Sequence, residues 1–324
     1  MTVKKNIAIW GLGKHSIKNI IPAIKMTENL KLVGCHTRDE KILTQISNEH
    51  NCHSWSSSEE MLMDNSIDIV YLSTPPGLHY LHGRSVLESN KHLWCEKPLS
   101  VSHQETISLI NFSKEKGLSL FECFMYRHHE QFKKLQEIIK GGKLGKSKTI
   151  NIKFGLPEME RPGFRFNPEL GGSCLYDVGS YLASVLLELY PEGDFDITYS
   201  RLDRKENRSI DVSGISLIEI DNSIDCFLDW SYNRAYQNNI SIWLEQGVVT
   251  TNKIFSKDPD YSPKINLSDN SGKRTVIEVE QQNHFKLMLE YFLDSHEDEA
   301  QKEIERNRIE RLSALLNKIV LSSH

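Results

Sequence analysis

Two short segments carry side chains that could move a proton during a reaction. Asp177 and Tyr181 are spaced i, i+4, so they share one face if their segment is helical. Lys97 stands between Glu96 and Pro98, directly after a short apolar run. A phenol can act as a general acid to an alkoxide once a nearby ammonium stabilises its phenolate. These residue types therefore indicate proton transfer at a substrate oxygen, with Lys97 able to orient a hydroxyl.

A glycine turn follows the first apolar run, at the point where a helical pattern begins. One glycine there permits a tight turn, and a second lets the backbone approach a pyrophosphate. The N-terminus of the helix then supplies amide donors and the positive end of its dipole. The usual third glycine or alanine is replaced by a serine, which is nearly as small. We predict that this turn binds a dinucleotide through Gly11, Gly13, Lys14, His15 and Ser16.

The end of the second predicted strand indicates which dinucleotide binds. Folds that prefer NAD usually place an acidic residue there, where it accepts hydrogen bonds from the adenosine ribose. This chain instead has Thr37 and Arg38. A hydroxyl followed by a guanidinium suits a 2′-phosphate, because arginine pairs bidentately with phosphate oxygens. Asp39 is expected to cap the next helix. We therefore predict NADP(H) in preference to NAD(H).

The first part of the chain alternates apolar strands with amphipathic helices, which is typical of a doubly wound parallel sheet. The predicted strands are Ile7–Trp10, Leu30–His36, Ile67–Leu72, His92–Glu96 and Ser119–Cys123. The predicted helices are His15–Met26, Glu40–Glu49, Gly77–Ser89 and His103–Lys116. We assign residues 1–124 to an NADP-binding α/β domain of the Rossmann type.

Two strand ends of this domain carry further candidate contacts. Ligands of open α/β sheets bind beyond the carboxyl ends of the strands, so segments that follow two strands can face one cleft. One such segment follows Leu72 and the other begins at Glu96. The residues predicted here to bind the cofactor are Ser73, Thr74, Pro75, His79, Glu96 and Lys97.

Residues 125–324 have a different pattern, with successive strands and segregated helices, which predicts an α+β domain on a large, mostly antiparallel open sheet. The predicted strands are Thr149–Phe154, Ile197–Leu202, Ile215–Ile220, Ile224–Trp230, Ile240–Leu244 and Val276–Val279. The predicted helices are His129–Lys140, Ser173–Leu189, Gln281–Leu293 and Ala300–Val320. In the helix that starts at Ser173, Asp177 and Tyr181 are expected on a face away from its apolar stripe. Pro157–Gly172 and Ser256–Arg274 are expected to be loops.

Composition excludes several classes of function. The net charge of −5 over 324 residues shows no basic excess, so no nucleic-acid partner is expected. No apolar run reaches the roughly 18 residues of a membrane span. The six scattered cysteines include no Cys-x-x-Cys pair, and together with the absence of an export signal they indicate cytoplasmic thiols. Two histidine pairs, His79 with His82 and His128 with His129, have no clustered carboxylate or cysteine, so we expect no metal.

Five ordered motifs resemble the glucose–fructose oxidoreductase/inositol dehydrogenase family, known as Gfo/Idh/MocA. The resemblance covers essentially the whole chain. The motifs are Gly11-x-Gly13, Thr74-Pro75-Pro76-x-x-His79, Glu96-Lys97-Pro98, Phe124-Met125-Tyr126-Arg127 and Gly171-Gly172 followed by Asp177 and Tyr181.

The resemblance implies hydride exchange between a nicotinamide and a sugar-like alcohol or ketone. It also implies a cis bond between Lys97 and Pro98, contact of Glu96 with the nicotinamide ribose, and contact of Lys97 with the reacting oxygen. A homodimer or homotetramer is implied as well. The implied substrate is a small sugar or nucleotide sugar. Its expected contacts are Lys97, Tyr126, Arg127, Asp177 and Tyr181.

The branch of the family is indicated by Tyr181, because many members carry histidine at that position. Tyr181 resembles the glucose–fructose oxidoreductase, dihydrodiol dehydrogenase and nucleotide-sugar 3-ketoreductase branches. The segment that contains Arg165 is similar to the last of these, in which the arginine lies near the cofactor. We expect an NADPH-dependent ketoreductase with Tyr181 as general acid. Two alternatives are a dehydrogenase of a free sugar, inositol or dihydrodiol, and a non-catalytic regulator that senses a dinucleotide.

Overall fold

The computed structural model describes residues 4–160, 163–204 and 210–324, and the chain divides into two compact units. The first unit comprises Met1–Phe124 and Phe285–Glu310, and the second comprises Met125–His284 and Arg311–His324. The boundary expected from the sequence also lies after residue 124, but residues 125–324 were expected to form one domain. The segment from Phe285 belongs with the first unit because Phe292 packs on Phe121, with ring centroids 4.7 Å apart. An amphipathic pattern does not show which core its apolar face will cover.

The first unit contains the six-stranded sheet expected of a doubly wound fold, and every strand pair in it is parallel. The strand order is β3-β2-β1-β4-β5-β6. The strands are β1 (Lys5–Trp10), β2 (Leu30–His36), β3 (His53–Ser54), β4 (Ile69–Leu72), β5 (His92–Glu96) and β6 (Leu120–Cys123). β4 and β6 are wholly buried, and β1 and β5 are buried except at their ends, which explains why these strands appear in the sequence as continuous apolar runs.

The helices of this unit agree with the predicted amphipathic segments, except that a short helix over Ser58–Met63 was not predicted. A π-helical turn over Ser16–Ile20 leads into the first helix. The helices are α1 (Ile21–Met26), α2 (Glu40–His50), α3 (Ser58–Met63), α4 (His79–Glu88) and α5 (His103–Glu115). Asp39 caps α2 as expected, since its carboxylate accepts from the amides of Lys41 and Ile42. The sequence analysis missed α3 and β3 because neither is long enough to show a period.

The second unit contains an eight-stranded sheet with the order β14-β13-β12-β11-β7-β10-β9-β8. Its strands are β7 (Ser147–Gly155), β8 (Phe195–Arg204), β9 (Asp211–Ile220), β10 (Ile224–Ser231), β11 (Gln237–Leu244), β12 (Gly247–Asn252), β13 (Lys264–Asp269) and β14 (Arg274–Glu278). Only the β7–β10 pair is parallel among these described strands, so the predicted mostly antiparallel sheet is confirmed.

Two strands of this sheet were absent from the sequence prediction. β12 was not recognised, and β13 lies inside Ser256–Arg274, which was expected to be a loop. The loop assignment was therefore wrong for Lys264–Asp269. This strand alternates polar residues with only Ile265 and Leu267, so its apolar signal is weak.

Four α-helices accompany the second sheet or close the chain. They are α6 (Glu130–Lys140), α7 (Ser180–Leu189), α8 (His284–Ser295) and α9 (Glu299–Leu321). The stretch Pro168–Leu189 is long and apolar enough to resemble a membrane span, but 83% of its most apolar window is buried inside the protein. Burial of that extent is typical of the core helix of a folded domain.

Candidate cofactor and substrate site

The glycine turn after β1 lies against the end of β4. A Cβ atom on Gly11 would be 2.6 Å from the carbonyl oxygen of Ser73, and Gly11 has a φ of +103°, so only glycine fits. Ser16 is buried, and its hydroxyl donates to the carbonyl oxygens of Gly11 at 2.9 Å and Gly13 at 3.1 Å. Among the described residues, no heavy atom lies within 4 Å of where a Gly13 Cβ would stand. The turn is thus tightly packed at Gly11 and open around Gly13, so the backbone at Gly13 is accessible to a phosphate.

Glu96, at the end of β5, is the centre of a hydrogen-bond network in the first unit. Asn19 donates to Nδ1 of His15 at 3.1 Å, so Nε2 of His15 carries the proton and donates to Glu96 Oε1 at 2.8 Å. The Tyr71 hydroxyl donates to the same oxygen at 2.5 Å. Burial raises the pKa of Glu96, but His15, Tyr71 and Lys97 outweigh it, and the net pKa lies below the usual value. Glu96 is therefore an anionic acceptor suited to hydroxyl groups.

His79 ties together the two loops that follow β4 and β5. Its Nε2 lies 2.7 Å from the Thr74 carbonyl oxygen, and its Nδ1 lies 2.7 Å from that of Pro98. The Lys97–Pro98 peptide bond is cis, as the family resemblance implied. Burial lowers the pKa of His79, and its ring is almost fully enclosed. His79 therefore links the two loops, and its expected contact with the cofactor stays a prediction.

The end of β2 places Thr37 half-buried and Arg38 exposed, with Lys14 exposed on the glycine turn. A residue that the sequence analysis set aside lies in the same region. His82 stacks on Trp10 with ring centroids 4.3 Å apart, and its Nδ1 lies 3.1 Å from the Thr74 hydroxyl. Burial and the nearby His79, Arg38 and His36 lower the pKa of His82 to about 4. No sequence motif marks His82, because its relation to Arg38 arises only from the fold.

Asp177 in the second unit is held by two donors. Arg165 Nε lies 2.6 Å from Asp177 Oδ2, and the Tyr232 hydroxyl donates to the same oxygen at 2.9 Å. Asp177 lies in a π-helical turn, Leu175–Gly179, that precedes α7. Burial works against the charged form of Arg165, but Asp177 outweighs it and raises the pKa of the guanidinium. Tyr232 was not predicted as a site residue. It is a single tyrosine directly after β10, and no sequence motif marks it.

Tyr181, in the first turn of α7, is enclosed by aromatic rings and only 7% exposed. Phe154, Phe255 and Tyr126 lie with ring centroids 5.3–6.1 Å from it. Its hydroxyl lies 3.5 Å from the Met125 sulfur. Tyr181 and Asp177 were expected on a face away from the apolar stripe, and in the structure that face is also enclosed, because the helix is buried on nearly every side. Tyr181 also contributes to the raised pKa of Arg165, so the phenol and the guanidinium influence each other electrostatically.

The motif Tyr126-Arg127 was expected to contact substrate, and the structure places both residues in the core of the second unit. Tyr126 is fully buried, and its hydroxyl is 2.6 Å from that of Ser184. Arg127 Nε lies 2.6 Å from Glu188 Oε1, with both side chains largely buried. These contacts give the two residues packing roles in this state. No three His, Cys, Asp or Glu side chains within the described ranges are grouped to hold a metal ion.

Comparison with known proteins identifies the family of both units. Residues 5–124 match the family model described as "Oxidoreductase family, NAD-binding Rossmann fold". Residues 132–250 match the model described as "GFO/IDH/MocA C-terminal domain". Together the two matches span well over half of the chain.

Curated relatives include two sugar oxidoreductases. The chain is 23% identical over 261 residues to a dTDP-3,4-didehydro-2,6-dideoxy-alpha-D-glucose 3-reductase of Saccharopolyspora spinosa, covering 81% of this chain and 78% of the relative. It is 27% identical over 274 residues to D-xylose 1-dehydrogenase (NADP(+)) 2 of Haloferax volcanii, covering 84% and 82%.

Among solved structures, KijD10, a 3-ketoreductase from Actinomadura kijaniata in complex with NADP and TDP-benzene, has the same fold. Its TM-score is 0.93 at 19% identity, over 99% of this chain and 98% of that one. The parallel sheet with its glycine turn, the open second sheet and the two family matches lead to one conclusion. The chain is an oxidoreductase of the GFO/IDH/MocA family, with an NAD(P)-binding Rossmann unit.

Proposed function

We propose that the protein is an NADPH-dependent reductase of a sugar ketone, with a nucleotide-activated sugar as substrate. The observation that carries this proposal is Tyr181, a phenol that is enclosed by aromatic rings and interacts electrostatically with the guanidinium of Arg165. In such a dry environment a cation favours the phenolate, so the phenol releases its proton more readily. A relative that reduces a dTDP-ketosugar and a fold neighbour bound to TDP-benzene support the substrate class.

NADP(H) is the proposed cofactor. Arg38 is exposed at the end of β2, where the adenosine ribose binds in this fold. The end of this strand has no acidic residue in the position that NAD-preferring folds use. His82 lies close enough to Arg38 for the two to interact electrostatically. A phosphate bound beside Arg38 would favour the protonated form of His82, which could then donate a hydrogen bond to it. The H. volcanii relative is named for NADP(+), and KijD10 was solved with NADP, which agrees with this proposal.

The proposed reaction reduces a carbonyl group to an alcohol. NADPH, when bound, would supply the hydride that adds to the carbonyl carbon. As the C=O π electrons move onto oxygen, Tyr181 gives the phenolic proton to the developing alkoxide. Lys97 is assigned to the orientation of the reacting oxygen. Asp177 is assigned to the orientation of the substrate or of Tyr181, and Arg165, first expected near the cofactor, is assigned to Asp177 by its 2.6 Å contact.

A second function uses the same chemistry in reverse. The protein would then oxidise a sugar alcohol or hemiacetal with NADP⁺, and Tyr181 would accept the proton. The H. volcanii xylose dehydrogenase, matched at 27% identity, favours this candidate. The two candidates are distinguished by the preferred direction of turnover at neutral pH with saturating NADPH or NADP⁺.

We further propose that the protein self-associates through the outer face of its eight-stranded sheet. This face carries exposed apolar side chains, of which Trp243 is 63% exposed; the others are Tyr199, Phe227 and Val276. Register places Leu217 between Phe227 and Tyr199, so apolar residues continue across neighbouring strands. An exposed apolar area of this kind marks an interaction surface.

A cytoplasmic location stays a prediction from the sequence.

The catalytic part of the proposal is tested by replacing the phenol. Tyr181→Phe keeps the ring and its aromatic contacts but removes the proton donor, and should lower kcat by about 10²–10⁴-fold with little change in NADPH affinity. Tyr190→Phe, at the C-terminus of the same helix, is the matched control and should retain activity. Near-normal turnover by Tyr181→Phe would exclude the general-acid role.

A further inference from the structure

A pair of cysteines lies where β2 and β3 run side by side. Cys35 is fully buried near the end of β2, and Cys52 is half-buried just before β3. In the strand register Cys35 is opposite Ser54. Because side chains two residues apart in an extended chain project to the same face, Cys52 lies on the face of Ser54 and Cys35. In this position each thiol lies close enough to the other to change its pKa.

The backbone brings these strands unusually close. A Cβ atom on Gly34 would be only 2.6 Å from the carbonyl oxygen of His53. The amide of Trp55 donates to the carbonyl oxygen of Cys35 at 3.2 Å, and the amide of Cys52 donates to that of Ser47 at 3.0 Å. Both cysteine backbones are thus anchored, which holds the thiols as neighbours.

The two thiols differ in reactivity in a way that suits oxidation. Cys52 is the more accessible of the two thiols, since Cys35 is fully buried. The neighbouring Cys35 lowers the pKa of Cys52; burial opposes this, and the nearby Lys25 adds to the lowering. The same contact and burial raise the pKa of Cys35. Burial also raises the pKa of the other four cysteines, Cys95, Cys123, Cys174 and Cys226. Since the thiolate is the nucleophile, Cys52 is the reactive cysteine and Cys35 is in place to resolve it.

We propose that Cys52 and Cys35 form a reversible disulfide when the protein meets a peroxide. The Cys52 thiolate attacks one oxygen of hydrogen peroxide, the O–O bond breaks, and the released hydroxide takes a proton to become water. Cys52 is then a sulfenic acid. The Cys35 sulfur attacks the Cys52 sulfur, the S–O bond breaks, and the hydroxide that leaves combines with the Cys35 proton as a second water. Two thiols are oxidised and one peroxide is reduced.

This disulfide would act on the adenosine end of the cofactor site. The residue after Cys35, His36, accepts a hydrogen bond from the amide of Gly11 at 2.9 Å, and its ring is 2.9 Å from the Trp55 carbonyl oxygen. A new bond between the strands therefore acts on the backbone that joins the glycine turn to Thr37 and Arg38. We expect oxidation to weaken NADPH binding at least about fivefold. This consequence rests on the proposed function, whereas the disulfide itself does not.

The test oxidises the intact protein with a small excess of hydrogen peroxide, alkylates the free thiols and maps tryptic peptides by mass spectrometry. The expected product links peptide 32–38 to peptide 42–84 with the loss of two hydrogen atoms, and dithiothreitol reverses it. Cys52→Ser should abolish the link, whereas Cys226→Ala, at a buried thiol of the second unit, should retain it. Thermal unfolding confirms that both variants fold.

Two results would overturn the disulfide. In the first, Cys52 can still be alkylated after treatment with a peroxide concentration that fully oxidises a reference dithiol. In the second, Cys52 is oxidised to sulfinic acid while Cys35 stays a free thiol. NADPH titration of the reduced and oxidised forms then tests the consequence. Equal affinities with a mapped disulfide would refute the regulatory effect. Failure of the reduced protein to bind NADPH would refute the proposed cofactor and leave the disulfide intact.

Discussion

Arg165 and Asp177 form a close ion pair in the second unit, with Nε and Oδ2 2.6 Å apart. Asp177 is 7% exposed and also accepts from Tyr232, so its charge is compensated within the protein. Through this pair Arg165 holds the side chain of a residue that lies twelve positions later in the chain. It fixes the carboxylate that the proposed chemistry uses for orientation.

Replacing Arg165 by methionine should destabilise the protein by about 1–3 kcal/mol, because a buried carboxylate loses a charged donor. The free energy of unfolding in urea, followed by tryptophan fluorescence, measures this loss. Arg201→Met is the matched control, since Arg201 pairs with Asp203 on the surface of the same unit. An exposed pair contributes about 0–1 kcal/mol. Equal losses in the two variants would show that burial does not strengthen the Arg165–Asp177 pair.

Cofactor selectivity should depend on Arg38. Arg38→Ala should raise the Kd for NADPH about 10–100-fold and leave that for NADH nearly unchanged, because a charged hydrogen bond to phosphate contributes about 1.5–3 kcal/mol. Fluorescence titration with each reduced cofactor measures both values. Lys41→Ala removes a neighbouring exposed cation on α2 as the control. A parallel loss of NADH affinity would contradict recognition of the 2′-phosphate.

Much of the first unit was predictable, and the reason is physical. Parallel strands buried on both faces appear as apolar runs, and the glycine turn has few alternative conformations, so β1, β2, β4 and β5 were found nearly to the residue. The edge region of the second sheet was harder. β13 carries only two apolar residues, and strands this polar are not separable from loops by pattern.

The site itself was predictable in its motifs but not in its contacts. Glu96 and Asp177 were found, yet the partners that set their charge, Tyr71 and Tyr232, lie far away in sequence and carry no motif. Tyr126 shows the converse, a predicted substrate contact that the structure places in the core. Its motif marks the family, whereas its buried hydrogen bond to Ser184 shows a packing role that no linear pattern reveals.

Stability should fall on mild acidification, in part through His129. Burial, with Lys257 and Lys133 nearby, lowers the pKa of His129 to about 3, below the roughly 6.5 of an unfolded chain. Between these values the unfolded state binds a proton that the folded state does not, so stability is lost as pH falls through about 6.5. One such group contributes at most about 2 kcal/mol between pH 7 and pH 5.

His129→Asn isolates that contribution. His129 caps α6 by accepting from the Gln131 amide, and asparagine can keep this cap without titrating. The variant should lose less unfolding free energy than the wild type when the pH is lowered from 7 to 5. Urea denaturation at the two pH values measures the difference. An unchanged difference would mean that His129 is not neutral in the folded protein at pH 5.

Self-association should depend on Trp243. Trp243→Glu places a charge at the centre of the exposed sheet face, next to Thr149 and Val248 in the register. We expect light scattering coupled to gel filtration to show an oligomer for the wild type and a monomer for this variant. Met63→Glu, at an exposed apolar residue of α3, should leave the oligomer intact. An oligomer that survives Trp243→Glu would place the interface elsewhere.

The most direct test of the proposed reductase follows hydride transfer. The protein is incubated with NADPH carrying deuterium at C4 of the nicotinamide, in each of the two stereochemical forms, together with dTDP-linked and free ketosugars. We predict that one form alone transfers deuterium to the carbinol carbon of a dTDP-sugar product, and that Tyr181→Phe slows this transfer about 10²–10⁴-fold. Tight NADPH binding without deuterium transfer to any ketosugar would contradict a reductase and favour a dinucleotide-sensing regulator.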